Sequence, residues 1–77
     1  MQVHVFIFGQ LTDIVGSNAI VLDDVADTDT LLDQLNKQYP LLCEQAYIVA
    51  VDKEIISSNT TLTDDCTVAL LPPYAGG

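Results

Sequence analysis

The sequence predicts an α+β domain in which a mixed β-sheet packs against one main helix. Stretches rich in β-branched and aromatic residues flank a single segment whose leucines recur at helical spacing. Hydrophobic residues make up 49% of the 77 positions, which is enough to build one small core. A chain of this length has room for one domain. We expect that domain to span residues 1–71 and residues 72–77 to form an extended, flexible tail.

The first strand is predicted over residues 3–8, which are β-branched or aromatic apart from His4. Side chains alternate between the two faces of a strand, so apolar groups fall on both faces of this one. The set expected on one face is Val3, Val5 and Ile7, and the set expected on the other is His4, Phe6 and Phe8.

The main helix is predicted between Thr28 and the residues just before Pro40. Leu31, Leu32 and Leu35 recur at helical spacing and form its apolar stripe. Thr28 is expected as the N-cap, and Pro40 ends the helix because it disfavours helical geometry at the residue before it. The stripe must pack against the sheet.

The remaining elements are short and are separated by turn residues. The stretch from Tyr47 to Val51 is fully apolar, which is typical of a central strand, and Asp52-Lys53 forms the turn after it. The predicted elements are a helical turn over Leu11–Val15 and strands over Ala19–Leu22, Tyr47–Val51, Glu54–Ile56 and Thr67–Leu71.

The charge balance is strongly acidic and excludes several classes of partner. Eleven acidic residues stand against two lysines and no arginine, giving a net charge of −9. Nucleic-acid binding depends on clustered cations that neutralise phosphates, so we expect no nucleic-acid partner. Anionic membrane surfaces are disfavoured for the same reason.

Compartment and metal binding are also constrained by the sequence. The first residues lack the features of a signal peptide, and no apolar run approaches the ~20 residues of a membrane span, so a cytoplasmic location is expected. Cys43 and Cys66 form no CxxC motif and have only His4 as a possible co-ligand. We interpret both as ordinary thiols and expect no metal site.

The residues that enzymes use for catalysis are sparse in this chain. The only histidine lies inside the first predicted strand, and the carboxylates between Asp23 and Asp29 are expected to serve solvation and helix capping. Neither a GxxxxGK[ST] nor a GxGxxG loop is present, so this chain is not expected to bind a nucleotide. An enzyme acting on its own is therefore not expected.

The last six residues are the feature that composition does not explain. Pro72 and Pro73 favour a stiff polyproline II path, and Tyr74 and Ala75 lead from them to Gly76-Gly77. Glycines allow a backbone to pass a narrow channel and allow a reacting group to approach the terminal carbonyl. At neutral pH that carboxylate is an anion and a poor electrophile, so a partner enzyme would have to activate it with ATP.

A docking surface is expected beside this tail. One helix covers one face of a sheet, which leaves Phe6 and Phe8 partly open, and exposed apolar patches mark partner sites. The last strand is expected to lie beside the first, so Leu71 would join the two rings. The expected partner interface is Phe6, Phe8 and Leu71; packing of the rings beneath loops is the alternative.

The whole chain resembles the small subunit of molybdopterin synthase, a family with the ubiquitin-like β-grasp fold. The residues that carry the resemblance are Phe8-Gly9-Gln10, the Val15-Gly16 turn, Val49-Ala50-Val51 and above all the final ten residues, 68–77. Thr12-Asp13 stands where family members often carry Arg-Glu, and Tyr74 stands where a smaller aliphatic residue is usual.

The resemblance implies a sulfur carrier with three kinds of partner. An E1-like adenylyltransferase adenylates Gly77, a sulfur donor converts it to a thiocarboxylate, and the tail inserts into the large subunit of molybdopterin synthase. There the sulfur passes to cyclic pyranopterin monophosphate in molybdenum cofactor biosynthesis. By the same resemblance, Gly76 is the small residue that permits insertion, catalysis lies in the large subunit, and ATP is bound by the activating enzyme.

Three other functions fit parts of the pattern. Sulfur carriers for thiazole synthesis in the thiamine pathway also end in Gly-Gly, but their tails usually lack the Pro72-Pro73 step. A ubiquitin-like modifier would conjugate the same carboxylate to lysines. A non-catalytic β-grasp interaction module would bind through the open sheet face alone.

Overall fold

The computed structural model describes residues 2–73, and these form a five-stranded mixed sheet with its helices on one face. This confirms the predicted α+β architecture with one main helix. The elements in chain order are β1 (Gln2–Ile7), α1 (Leu11–Val15), β2 (Ala19–Asp23), α2 (Thr28–Gln38), a 3-10 turn (Pro40–Glu44), β3 (Ile48–Val51), β4 (Glu54–Ile56) and β5 (Thr67–Leu71).

The strand order across the sheet is β2-β1-β5-β3-β4. The first and last strands pair in parallel, with Val5 opposite Val68 and Ile7 opposite Leu70, whereas the other neighbouring strands are antiparallel. The predicted adjacency of the first and last strands is confirmed. The apolar strand β3 lies between β5 and β4, which confirms its prediction as a central strand, although the middle position of the five belongs to β5.

The core lies between the sheet and the helical layer. Val3 and Val5 of β1 and Val68 and Leu70 of β5 are fully buried, because alternate residues of the two paired strands point to the same side. Leucines of α2 pack against them, as the helical spacing predicts. The buried hydrophobic cluster is Val3, Val5, Ile7, Leu11, Val15, Leu22, Val25, Leu31, Leu35, Leu42, Leu62, Cys66, Val68 and Leu70.

The start of α2 corrects the predicted N-cap by one residue. Asp27, in extended geometry, is the cap, and its side chain accepts a 2.9 Å hydrogen bond from the backbone N–H of Thr30. Thr28 is buried, and its hydroxyl accepts from the backbone N–H of Thr60 and lies 3.3 Å from the Asn59 side chain. Its oxygen therefore ties the helix to a distant loop and is not the cap.

The region after α2 contains a 3-10 turn that the sequence analysis did not predict. Pro40 begins this turn, as proline commonly does at a first helical position, and Leu42 within it is fully buried. Cys43 in the same turn is exposed, whereas Cys66 lies in the core. A single buried leucine in a five-residue stretch carries no periodicity for a sequence to reveal.

Membrane-spanning helices and clusters of metal-binding side chains were both looked for within the described residues. Between residues 2 and 73, no helix has the length and apolar character to cross a membrane. Within the same range, no three histidine, cysteine or carboxylate side chains lie close enough together to hold a metal ion.

Replacement of Asp27 by Ala should lower the midpoint of thermal unfolding in a pH-dependent way. Hydrogen bonds from the hydroxyl and backbone N–H of Thr30, and from the Asn59 amide, hold the pKa of the Asp27 carboxyl below its ordinary 3.8. A group with a lowered folded pKa contributes its stabilisation above the unfolded pKa and loses it as the pH falls through the folded pKa.

The gap in unfolding midpoint between wild type and Asp27→Ala should thus be full at about pH 5 and above and shrink as the pH falls below 3.8. Calorimetric scans across this range measure it. Glu44→Ala, which removes an exposed carboxylate from the 3-10 turn, is the control and should show a smaller gap. A gap for Asp27→Ala that widens toward acid pH would contradict the cap assignment.

Candidate functional site

The sheet face opposite the helices is apolar and exposed, and we call it the open sheet face. Phe6 is 40% exposed and Phe8 47% exposed, so the predicted partly open rings are confirmed and do not pack beneath loops. Strand register places Ala69 beside Phe6 and Ala50 beside Ala69. The residues on this face, which come from the five strands and from the position just after β1, include His4, Phe6, Phe8, Ala19, Val21, Ile48, Ala50, Ile55, Thr67, Ala69 and Leu71.

A shallow apolar cavity of about 230 Å³ lies in the middle of this face. Phe6 and Phe8 form one wall, and the small side chains of Ala50 and Ala69 form the floor. Lys53, from the turn after β3, lies at its edge. A large apolar side chain of another protein would fill such a cavity, which is the geometry of an interface anchor.

Leu71 stands on the open sheet face at the end of β5. Leu70 before it is fully buried in the core, so Leu71 points to the opposite side and is half-buried, facing Ile48 of β3. The structure thus places the three predicted interface residues, Phe6, Phe8 and Leu71, on one face and at the same end of the sheet.

The chain leaves the sheet beside the end of β1. The backbone N–H of Phe8 donates a 3.1 Å hydrogen bond to the carbonyl of Leu70, which extends the parallel pairing by one residue. Pro72 is buried, and its ring packs against Gly9, whereas Pro73 is exposed. The predicted site residues Tyr74, Ala75, Gly76 and Gly77 lie outside the described residues, and the division between domain and tail stays a prediction.

The carboxylates gather at the end of the sheet remote from Pro72. Asp64 accepts a hydrogen bond from the backbone N–H of Gln2, and Asp52 accepts from the backbone and hydroxyl of Thr67. Asp23 pairs with Gln2 across β1 and β2, and Asp65 lies 3.7 Å from His4. The open sheet face is therefore acidic at one end and apolar where the chain leaves.

These described residues offer a binding surface more than a reaction centre. His4 is partly exposed and lies 3.7 Å from the surface carboxylate of Asp65. The hydroxyl of Thr67 donates to Asp52, but this pair is exposed and belongs to a set of hydrogen bonds that joins the turn after β3 to β5, as is typical of a structural contact. Sequence reasoning missed Ala50 and Lys53 as parts of the cavity and Gly9 as the contact of Pro72. The strand register brings the first two to the cavity, and no local pattern reports that register.

A family model matches this chain over residues 5–77, from the first strand to the terminal glycines. That model describes the ThiS family. The chain belongs to the ThiS family. It is accordingly a ubiquitin-like sulfur carrier of the ThiS type, which confirms the β-grasp fold and the coarse function that the resemblance implies.

Solved structures agree with the family. A Pyrococcus furiosus protein assigned as subunit 1 of a molybdopterin converting factor superposes with a TM-score of 0.85 at 20% identity, covering 94% of this chain and 97% of that one. The complex of subunits 1 and 2 of the Helicobacter pylori molybdopterin-converting factor gives 0.77 at 26% identity and full coverage of both chains. Small archaeal modifier protein 1 from Haloferax volcanii gives 0.81 at 21% identity, again with full coverage.

The exposure of Phe8 on the open sheet face can be tested by comparing the stability losses of two substitutions, at Phe8 and at the neighbouring Ile7. Phe8→Ala should cost less than about 1.5 kcal/mol of unfolding free energy, because the ring is half exposed. Ile7→Ala, at a side chain only 2% exposed, should cost about 2–5 kcal/mol. Urea unfolding monitored by circular dichroism measures both, and equal losses would show that Phe8 belongs to the core.

Proposed function

We propose that this chain carries sulfur on its C-terminal Gly77 for molybdenum cofactor biosynthesis, as the small subunit of molybdopterin synthase. Three observations support the proposal. The family match runs through to Gly77, the chain leaves the sheet beside an exposed apolar face, and the described residues assemble no reaction centre. A protein of this kind presents a reactive end and a docking surface and leaves catalysis to its partners.

The first step activates the Gly77 carboxylate. A carboxylate oxygen attacks the α-phosphorus of ATP in the site of an E1-like enzyme, pyrophosphate leaves, and an acyl-adenylate results. Hydrosulfide attack on the acyl carbon then expels AMP and leaves a thiocarboxylate. A persulfide donor would instead give an acyl disulfide, which a thiol reduces to the same thiocarboxylate.

The second stage delivers the sulfur. The thiocarboxylate sulfur attacks a carbon of cyclic pyranopterin monophosphate that becomes a dithiolene carbon. A carbon–sulfur bond forms, the bond from that carbon to its oxygen substituent breaks, and the oxygen leaves as water or as a phosphate oxygen. The product is a thioester between Gly77 and the pterin, and a second loaded carrier supplies the sulfur of the other dithiolene carbon. Water hydrolyses that thioester, which leaves sulfur on the pterin and restores the Gly77 carboxylate. Gly76 and Gly77 have no Cβ, so they let the reacting groups approach the carbonyl closely.

Docking is proposed to use the open sheet face. The solved relative in which a subunit 1 is bound to a subunit 2 supports a large-subunit partner for this chain as well. The apolar cavity between Phe6 and Phe8 would receive an anchor side chain, and Leu71 would extend the contact toward the tail. Because this chain carries a net charge of −9, its partners should present basic surfaces around that contact.

Location and energy source complete the proposal. ATP would be bound by the activating enzyme, since this chain has no arginine and only two lysines. The cytosol, where ATP and reduced sulfur donors are available, is the proposed compartment. Neither nucleic acid nor membrane is among the proposed partners.

Incubation with ATP, an E1-like enzyme and a sulfur source should replace one terminal oxygen by sulfur, which intact-mass spectrometry detects. The matched control is the chain lacking Gly77, which should fold with an unchanged unfolding midpoint, because terminal residues contribute little to a core, but should acquire no sulfur. Support of cofactor synthesis by the truncated chain would exclude the carrier function.

Three further measurements, of sulfur transfer, of conjugation and of partner binding, distinguish the alternatives. Thiocarboxylate formation followed by transfer to a thiazole precursor, but not to the pterin, would assign the chain to the thiamine pathway. Isopeptide conjugates to lysines of other proteins in a lysate would assign it as a modifier. Normal partner binding with no change at Gly77 would assign it as an interaction module.

Leu71→Asp should weaken binding to the large subunit at least tenfold, because it places a charge in the apolar contact. The matched control is Leu41→Asp in the 3-10 turn, where the leucine is already 58% exposed on the helical side. Isothermal calorimetry measures binding, and circular dichroism checks the fold. Loss of fold in Leu71→Asp alone would place that side chain in the core, and equal binding by both variants would move the interface elsewhere.

A further inference from the structure

We propose that Gly9 is a positioning residue for the tail: its missing side chain makes room for the ring of Pro72, and this contact sets the direction in which the chain leaves the domain. The inference rests on the proposed function, because it concerns how the reacting end is presented. It adds a residue near the start of the sequence to those that determine how Gly77 is presented.

The contact leaves no space for a larger residue. A Cβ built at Gly9 would lie 2.5 Å from Cγ of Pro72 and 3.3 Å from its Cδ, and side-chain carbons essentially never approach to 2.5 Å. Pro72 is buried at this point, so its ring fills the space above the glycine. Any side chain at Gly9 must therefore displace Pro72 or the turn.

Both partners of the contact are held in place. The carbonyl of Gly9 accepts hydrogen bonds from the backbone N–H of Thr12 at 3.2 Å and from its hydroxyl at 2.8 Å. On the other side, the hydrogen bond from Phe8 to Leu70 fixes the end of β5 two residues before Pro72. Because these hydrogen bonds hold both the turn at Gly9 and the end of β5, we infer that a displacement of the Pro72 ring changes the direction of the chain after Pro72.

Distance along the tail amplifies such a change. The five residues that follow Pro72, in the extended path that the sequence predicts, span about 16 Å at ~3.1–3.3 Å per residue. Along that path, a rotation of about 10° at Pro72 shifts the average position of the terminal carbonyl by about 3 Å. Misplacement of a reacting atom by about 1 Å can lower a reaction rate about 100-fold.

The chain supplies a matched control for this idea. Gly9 and Gly16 both adopt positive φ, +61° and +82°, so alanine brings a similar backbone strain at either position. A Cβ at Gly16 would meet no described atom within 4 Å. Only the substitution at Gly9 adds a collision with Pro72.

The test compares Gly9→Ala with Gly16→Ala in adenylation by the E1-like enzyme, with thermal unfolding measured alongside. We expect a larger loss of unfolding midpoint for Gly9→Ala, because it alone adds the collision with Pro72. At a temperature where both variants are fully folded, we expect a kcat at least tenfold lower for Gly9→Ala than for Gly16→Ala, with KM for the carrier nearly unchanged because the open sheet face is intact. An equal kcat for the two variants, or an effect of Gly9→Ala confined to KM, would overturn the inference.

A second variant tests the collision itself. Pro72→Ala removes Cγ and Cδ, leaving only the ordinary 3.8 Å contact to the Pro72 Cβ. The loss of kcat caused by Gly9→Ala should therefore be much smaller in the Pro72→Ala background than in wild type, a coupling that a general loss of stability would not produce. An equally large loss of kcat in that background would refute the contact as the cause. This pair also serves if Gly9→Ala alone fails to fold.

A measurement that does not depend on enzymatic adenylation separates this inference from the proposed function. If wild type acquires no adenylate, the proposed function fails, but NMR still compares the amide signals of Tyr74 to Gly77 among wild type, Gly9→Ala and Gly16→Ala. Shifts in Gly9→Ala that are absent from Gly16→Ala support positioning. Identical tail signals in both variants would contradict it.

Discussion

The parallel pairing of β1 with β5 is the constraint on which the rest of this structure depends. It joins strands from the two ends of the chain, as the hydrogen bond between Gln2 and Asp64, 62 residues apart, illustrates. Such non-local pairing costs loop-closure entropy, which the buried valines and leucines of the two strands offset. It also puts Phe6, Phe8 and Gly9 beside the strand that leads to the C-terminal residues, so the proposed docking surface and the proposed reacting end lie on the same side of the molecule.

Much of the fold could be predicted because its signals are local. Alternation along residues 3–8 gave both faces of the first strand, and leucine spacing gave the buried stripe of the helix. The Asp52-Lys53 turn was also recognisable, and both residues adopt the positive φ of a two-residue hairpin turn. The N-cap was missed because the partner of Thr28 lies in a loop some thirty residues away.

The candidate site divides in the same way. The exposure of Phe6 and Phe8 could be predicted, because a single helix covers only one face of a sheet. The cavity floor of Ala50 and Ala69 required the strand register, and the contact of Pro72 with Gly9 required the positions of both chain ends. A sequence pattern reports what a residue prefers locally, but it does not report which distant atom occupies the space beside it.

The open sheet face carries a consequence for the behaviour of the free protein. Association of two copies through this face would bury the exposed rings of Phe6 and Phe8, and the hydrophobic free energy alone would favour self-association. Each copy, however, brings nine net negative charges to the encounter, so like molecules push one another apart while a cationic surface is drawn in. The net negative charge therefore opposes self-association through the open sheet face while it favours binding of a positively charged partner.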